Sequence, residues 1–149
     1  MMKEQIELLN YELALLNKAT EILKYSFEKC KNLEGKKEFS LNELDNLESL
    51  TSRFARLSDL LIQKIFRLID GIELEDSGTI RDRINRAEKR NIIDSADILT
   101  EIRILRNNIA HEYLPEAITE IYKNVIKYTP NLLKFCEATI SFCKKYKVA

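Results

Sequence analysis

The amino-acid sequence predicts an all-α protein: an up-and-down bundle of four main helices and one short helix, forming a single domain over residues 1–149. Apolar residues recur at alternating intervals of three and four, helix-capping motifs precede several of these repeats, and only three glycines and two prolines interrupt 149 residues. A chain of this length buries roughly two-thirds of its unfolded surface in one core. A single domain therefore needs no disulfide or metal to hold it together.

The first two main helices are predicted from two long apolar repeats. The first helix extends over about Lys3–Lys31. The second begins at Ser40, because Ser40 and Glu43 match a capping box in which each side chain binds the other residue's N–H group. It is expected to end near Gly71, with this glycine in a left-handed cap. The repeats are Ile6, Leu9, Leu13, Leu16, Thr20, Leu23, Phe27 and Cys30, then Leu44, Leu47, Thr51, Phe54, Ser58, Leu61, Ile65 and Leu68.

The short helix is the most basic segment of the chain. Thr79 and Asp82 form a weaker version of the same cap at its start, and it closes around Asn91. Either Asp94 or Ser95 then caps the next main helix.

The third main helix must end soon after His111. Pro115 disfavours helical geometry at the residue before it and cannot donate a backbone hydrogen bond. Proline is, however, well suited to the first turn of a helix, so the last main helix is expected to begin at Pro115.

Composition limits the class of protein. The net charge is zero, which argues against coating nucleic acid by bulk attraction but leaves room for a local basic groove. Three cysteines without a CxxC pair are typical of small core residues in a reducing compartment. No apolar run approaches the roughly 20 residues of a membrane span, and the N-terminus does not resemble a signal peptide. We expect a cytoplasmic protein with no membrane contact and no cofactor.

The chemically densest stretch is Arg106–Tyr113. His111 is the only histidine in the chain, so it is the side chain best suited to move protons near neutral pH. Asn107 shares a helical face with His111, and Arg106 lies on the neighbouring one. An arginine that binds phosphate oxygens beside an ionisable ring suits a phosphodiester. RNA supplies its own nucleophile, the 2′-hydroxyl, so cleavage needs only a base and an acid.

One histidine per chain can fill only one of these roles at a time. This points to a two-fold homodimer that brings two copies of His111 and Arg106 into one cleft. A metal site is disfavoured, because no second histidine and no cysteine lies near the motif, and Glu112 and Glu116 alone make a weak cluster. A serine or cysteine nucleophile stays open but has no local signature.

An ordinary structural role is the alternative. A histidine near the end of a helix often interacts with the helix dipole, and asparagines often terminate helices. Tyr113 is, on this interpretation, an aromatic residue at the edge of the core. The residue pattern alone leaves both interpretations open.

Arg106, Asn107 and His111 resemble the signature of the HEPN superfamily of small helical proteins, in which an arginine, often followed by a polar residue, precedes a histidine by a few positions. Arg106, His111 and Tyr113 also match the Arg-x4-His-x-Tyr form of HepT-like toxins, which are encoded with a minimal nucleotidyltransferase antitoxin. The match is short, but it lies late in an all-helical chain, as in the family.

The resemblance implies a metal-independent endoribonuclease, the toxin of a type VII-like toxin–antitoxin system, with a composite RNA-cleaving site in a homodimer. Arg106 and His111 would be catalytic and Asn107 would support them. Tyr113 would receive adenylyl groups from the antitoxin, and this modification would silence the toxin. Another family role is a non-catalytic helical partner of a nucleotidyltransferase. A purely structural dimerisation bundle would leave the motif unexplained.

Cations on the second main helix and on the short helix are candidates for binding the RNA substrate. A row of cations on the second main helix is, by default, only a solvated face. The RNA-binding candidates are Arg53, Arg56, Arg83 and Arg86.

Overall fold

The computed structural model describes residues 2–146, and these contain no β-strand. Helix α2 continues without a break through a π-helical segment into α3, so that the three form one long rod. The elements are α1 (Met2–Cys30), a 3-10 turn (Lys31–Leu33), α2 (Leu41–Asp59), the π segment (Leu60–Ile65), α3 (Phe66–Ile72), α4 (Ile80–Lys89), α5 (Ala96–His111), α6 (Pro115–Phe142) and a final 3-10 turn (Cys143–Tyr146). The prediction of an all-α bundle with four main helices and one short one is confirmed.

Capping groups set where three of the helices begin. The Ser40 hydroxyl accepts from the Glu43 N–H at 3.1 Å, and the Glu43 carboxylate accepts from the Ser40 N–H at 2.9 Å. The Lys36 ammonium, 2.8 Å from the same carboxylate, and the Ser40 N–H lower the pKa of Glu43. Thr79 and Asp82 form the second capping box at α4, as predicted. Of the two candidates for the cap of α5, Ser95 accepts from the Ile98 N–H.

The bundle places α1 and α5 diagonally across from each other, because each packs against both α2 and α6. Helix α4 packs against α3 and α5. One continuous core fills the centre, with Leu9, Leu16 and Leu23 of α1 fully buried. Burying a leucine side chain contributes about 1.5–3 kcal/mol, so a row of this kind fixes which face of α1 points inward.

The predicted cap at Gly71 is wrong. Gly71 lies inside α3, and the left-handed residue is Leu74, with a φ of 59°. The Glu75 N–H binds the Asp70 carbonyl and the Leu74 N–H binds the Gly71 carbonyl, which is the Schellman pattern with leucine in the usual position of glycine. A Cβ on Gly71 would lie 3.2 Å from Gln5 Nε2 of α1, so this glycine permits a close helix approach.

Candidate functional site

The residues of the Arg106–Tyr113 stretch lie at the C-terminus of α5, as predicted. The helix ends at His111, where the Glu112 N–H binds the Asn108 carbonyl at 3.0 Å, and Pro115 starts α6 four residues after His111. Arg103, Asn107 and His111 are spaced by four residues, so they follow one another along one side of α5, each about 6 Å beyond the last.

Arg106 forms a two-point ion pair with Asp59, the last residue of α2. Its Nε lies 2.8 Å from Asp59 Oδ1 and its Nη2 lies 2.9 Å from Oδ2. The hydrogen bond to Asp59 raises the pKa of the Arg106 guanidinium. Nη1 makes no hydrogen bond to any described residue, so the pair fixes the plane of the guanidinium and leaves one of its edges available. The carboxylate also neutralises part of its charge.

Asp59 was not among the residues predicted from the sequence. It lies 47 positions before Arg106, and helical periodicity does not say which residues of two helices meet. One signal was present: Asp59 is the only acidic residue between positions 49 and 69, in a segment that also carries Arg53, Arg56, Lys64 and Arg67.

A cleft of about 500 Å³ opens beside this ion pair, between α5 and the junction of α2 with the π segment. Lys64 and Arg103 line it together with Arg106 and Asn107, and neither Lys64 nor Arg103 makes an ion pair or a hydrogen bond to another described residue. The first cleft therefore holds two uncompensated cations. His111 does not line the first cleft. It lies four residues beyond Asn107 along α5, at the edge of this cleft.

The π segment forms the wall that the first cleft shares with a second one of about 650 Å³. The Phe66 N–H binds the Leu61 carbonyl, five residues back, which is the hydrogen bond of a π-helix. Such insertions are rare and often lie at functional sites. Here Gln63 and Lys64, which lie in the wide turn, line both clefts, so the two clefts are adjacent.

The second cleft adds the cations Arg67 and Arg83 to this surface, and the acidic residues Glu12, Asp70 and Asp76 line it as well. Arg83 donates to the Ile62 carbonyl at 3.2 Å and to Gln63 Oε1 at 3.4 Å. Burial lowers the pKa of the Arg83 guanidinium. A cation that has lost part of its water in this way gains more from an added anion than a fully solvated one.

Arg86 is engaged elsewhere. Asp70 is 1% exposed, and its carboxylate binds Arg86 at 2.8 Å and Arg90 at 2.5 Å, with Arg83 Nε at 3.7 Å. This carboxylate fastens the basic side of α4 to α3. Arg86 is therefore placed to stabilise the fold and lines neither cleft.

The two candidates on α2 also lie outside the clefts. Arg53 donates to Ser26 Oγ of α1 at 2.5 Å, whereas Arg56 is exposed and makes no hydrogen bond to a described residue. Of the four predicted RNA-binding residues, Arg83 alone lines one of the two clefts, the second one. The structure places Lys64, Arg67 and Arg103 there as well, and none of these three was predicted as an RNA contact.

His111 and Tyr113 are open to solvent. The His111 ring is exposed, and neither side chain makes a hydrogen bond to a described residue. Tyr113 is 82% exposed and lies in the short connection between α5 and α6, so it does not share a helical face with Arg106. A proton-transfer group and a phenol are thus both accessible to a large substrate or to a modifying enzyme.

The three cysteines are buried and unpaired, as expected from their helical positions. Burial raises the pKa of the Cys143 thiol to about 12, which keeps this group protonated. Over residues 2–146, no group of three or more His, Cys, Asp or Glu side chains is placed to hold a metal ion. Within the same residues no helix is long and apolar enough to cross a membrane.

Comparisons of the chain with known protein families, with curated proteins and with solved structures found no match.

Proposed function

We propose that this protein is a metal-independent endoribonuclease of the HEPN type, a HepT-like toxin that a partner nucleotidyltransferase neutralises by adenylylating Tyr113. One observation carries the proposal: the only histidine of the chain is exposed, in one row with Asn107 and Arg103, beside a first cleft that holds three cations. This arrangement suits a phosphodiester, because it puts fixed positive charge beside a group that can transfer protons.

The reaction follows from the chemistry of RNA. His111 takes the proton of a 2′-hydroxyl, and the oxygen attacks the adjacent phosphorus. The bond from phosphorus to the 5′-oxygen breaks, and this leaving oxygen takes a proton from an acid. The products are a 2′,3′-cyclic phosphate and a 5′-hydroxyl. Arg106, oriented by Asp59, stabilises the charge on the phosphate oxygens through its free edge.

A second imidazole supplies the acid in a homodimer. In this dimer one imidazole, in its neutral form, is the base, and the other, in its protonated form, is the acid. The exposed side of α5 that carries Asn107, His111 and Ile104 is the face on which two chains would meet.

The test compares wild type with His111→Ala on RNA in the presence of EDTA. We expect cleavage without metal and a loss of at least about 100-fold in the variant, since general acid–base catalysis contributes about 10²–10⁴-fold. Asn42→Ala, an exposed change on α2 that lines neither cleft, controls for handling and should cleave as wild type does. Equal cleavage by wild type and His111→Ala would reject His111 as the catalytic group.

Adenylylation of Tyr113 is tested by intact mass. In this step the phenol oxygen attacks the α-phosphate of ATP and releases pyrophosphate, which adds negative charge close to the catalytic cations. Incubation with the nucleotidyltransferase and ATP should raise the mass by adenylyl units in wild type and not in Tyr113→Phe. Tyr128→Phe is the control, because it also removes one phenol but leaves Tyr113 in place. A mass increase that survives Tyr113→Phe would place the modification elsewhere.

A non-catalytic partner of a nucleotidyltransferase is the second candidate function. The ion pair of Arg106 with Asp59 favours it, because a carboxylate already occupies one edge of the guanidinium. Stable co-purification with a nucleotidyltransferase encoded in the neighbouring reading frame, without any RNA cleavage, would support this role over the nuclease.

A further inference from the structure

Helix α1 carries a second apolar stripe, on the side away from the core. Its members are spaced by three, four, seven and three residues, so they form one row along the helix. The row is about 26 Å long at 1.5 Å per residue. Each side chain is two-fifths or more exposed: Leu8 47%, Tyr11 61%, Leu15 40%, Ile22 47% and Tyr25 60%.

This outer stripe continues as a heptad pattern. Lys18 fills the gap between Leu15 and Ile22, Glu4 precedes the row by four residues, and Lys29 follows it by four. These residues therefore occupy the a and d positions of a heptad repeat, the positions that form the core of a coiled coil, over most of α1. Contiguous apolar rows of this size on a protein surface mark sites of interaction.

We propose that the outer stripe is a homodimer interface, in which α1 pairs with α1 of a second copy in antiparallel orientation. In an antiparallel pair, an a position of one helix faces a d position of the other. If the two-fold axis passes between positions 16 and 17, the numbers of any two facing residues add up to 33. Leu8 then faces Tyr25 of the second copy, and Tyr11 faces Ile22. Every aromatic residue of the row is thus paired with an aliphatic one.

The charged members of the pattern select this orientation. Glu4 faces Lys29 of the second copy, and Lys18 lies over Leu15, where its alkyl stem covers apolar surface while the ammonium reaches water. A parallel pair would instead put Glu4 against Glu4, Lys18 against Lys18 and Lys29 against Lys29. Repulsion between like charges in three layers opposes the parallel arrangement. The charges of the row are therefore complementary between two copies only when the helices are antiparallel.

The interface is separate from the face proposed for RNA cleavage, because α1 and α5 lie diagonally across the bundle. Pairing through α1 leaves His111 and the first cleft uncovered, because no residue of α1 lines that cleft. The second cleft borders the interface, since Leu8 of the outer stripe also lines it. The dimer of α1 therefore stands or falls independently of the proposed function.

Molecular mass in solution tests the interface. Ile22→Lys, which places a cation opposite Tyr11, should halve the assembled mass, whereas Leu41→Lys should leave it unchanged. Leu41 is 82% exposed and lies outside the row, which makes it a matched control. Lys18→Leu should tighten the assembly by about tenfold or more, since it replaces a charge in the row by an apolar side chain. An unchanged mass for Ile22→Lys overturns the proposal.

A variant on the other face separates this inference from the proposed function. Ile104 is 46% exposed on α5, and Ile104→Lys reports on pairing through the catalytic face. If the mass falls with Ile104→Lys and not with Ile22→Lys, the interface on α1 is rejected and the composite site is supported. If it falls with Ile22→Lys alone, the interface on α1 stands and the composite site loses its dimer.

Crosslinking tests the orientation. The native cysteines are buried, so thiols introduced on the outer stripe react first. With a short bifunctional thiol reagent, the double variant Tyr11→Cys, Ile22→Cys should give a covalent dimer, whereas Tyr11→Cys alone should not, because the two copies of residue 11 lie about 16 Å apart in the antiparallel pair. A dimer from Tyr11→Cys alone would indicate parallel pairing and overturn the proposed orientation.

Discussion

At the scale of single residues, Asp59 is the one that changes the chemistry of the site. Its carboxylate holds Arg106 by two hydrogen bonds and is, among the described residues, the only acidic group that lines the first cleft. In the proposed nuclease, Asp59 therefore has two opposing effects on an RNA ligand. It orients the guanidinium, and it repels the phosphate.

Asp59→Asn separates these effects. We expect tighter RNA binding, because a negative charge leaves the cleft, and slower cleavage by the bound complex, because Arg106 is no longer held in place. The free energy of unfolding should change by less than about 1 kcal/mol, as for other solvent-accessible ion pairs. Binding is measured with His111→Ala as background, and cleavage under single turnover with the active protein.

Asp97→Asn is the control for this experiment, since Asp97 pairs with Arg81 at 2.9 Å in an exposed ion pair outside both clefts. It should alter neither quantity. A single-turnover rate in Asp59→Asn equal to that of wild type would contradict a positioning role for Asp59.

The sequence predicted part of this site. Arg106, Asn107 and His111 are local in sequence, and a proline fixes where their helix ends, so their placement at an exposed helix terminus could be deduced. Asp59, Lys64 and Arg103 could not be assigned, because they meet only when two helices pack in one register.

At the scale of elements, α4 is attached through buried charge. Asp70 of α3 binds Arg86 of α4 and Arg90, the residue that follows α4, and its side chain is nearly inaccessible to solvent. The basic pattern of α4 predicted a nucleic-acid contact, yet two of its arginines face a carboxylate of the same chain. Composition shows that a helix is basic, but it does not show which residues lie opposite that helix.

Asp70→Asn should destabilise the fold strongly. Removing one partner from a buried ionic cluster leaves its cations without compensation and costs about 3–5 kcal/mol. We expect this loss in urea unfolding followed by circular dichroism. Glu75→Gln is the matched control: Glu75 contacts Arg90 at 3.4 Å but is exposed, so its loss should cost less than about 1 kcal/mol. Equal stability of Asp70→Asn and wild type would mean that α4 is held by its apolar side alone.

The first residue of α4 was easier to predict from the sequence than Asp70, the residue to which α4 is attached. Thr79 and Asp82 are three residues apart, and their mutual hydrogen bonds form whatever the rest of the chain does. The end of α3 shows the opposite case. Leucine occupies the left-handed position, and Gly71 is retained for the close approach of α1.

At the scale of the whole molecule, a net charge of zero conceals an uneven distribution. Acidic and basic residues are equal in number, yet the two adjacent clefts gather cations from four different elements. Apolar periodicity was sufficient to predict the bundle, because each helix must bury one face. It did not predict how the helices are ordered around the core, and this order creates the clefts. The cations that line them are Lys64, Arg67, Arg83, Arg103 and Arg106.

We propose that His111, beside the first cleft, catalyses RNA cleavage in which the 2′-hydroxyl of the RNA is the nucleophile. The most direct test is the chemistry of the fragment ends after digestion in EDTA. We expect a 2′,3′-cyclic phosphate on one fragment and a 5′-hydroxyl on the other, and we expect both to be absent with His111→Ala. Fragments with 3′-hydroxyl and 5′-phosphate ends that form only when a divalent metal is added would contradict it.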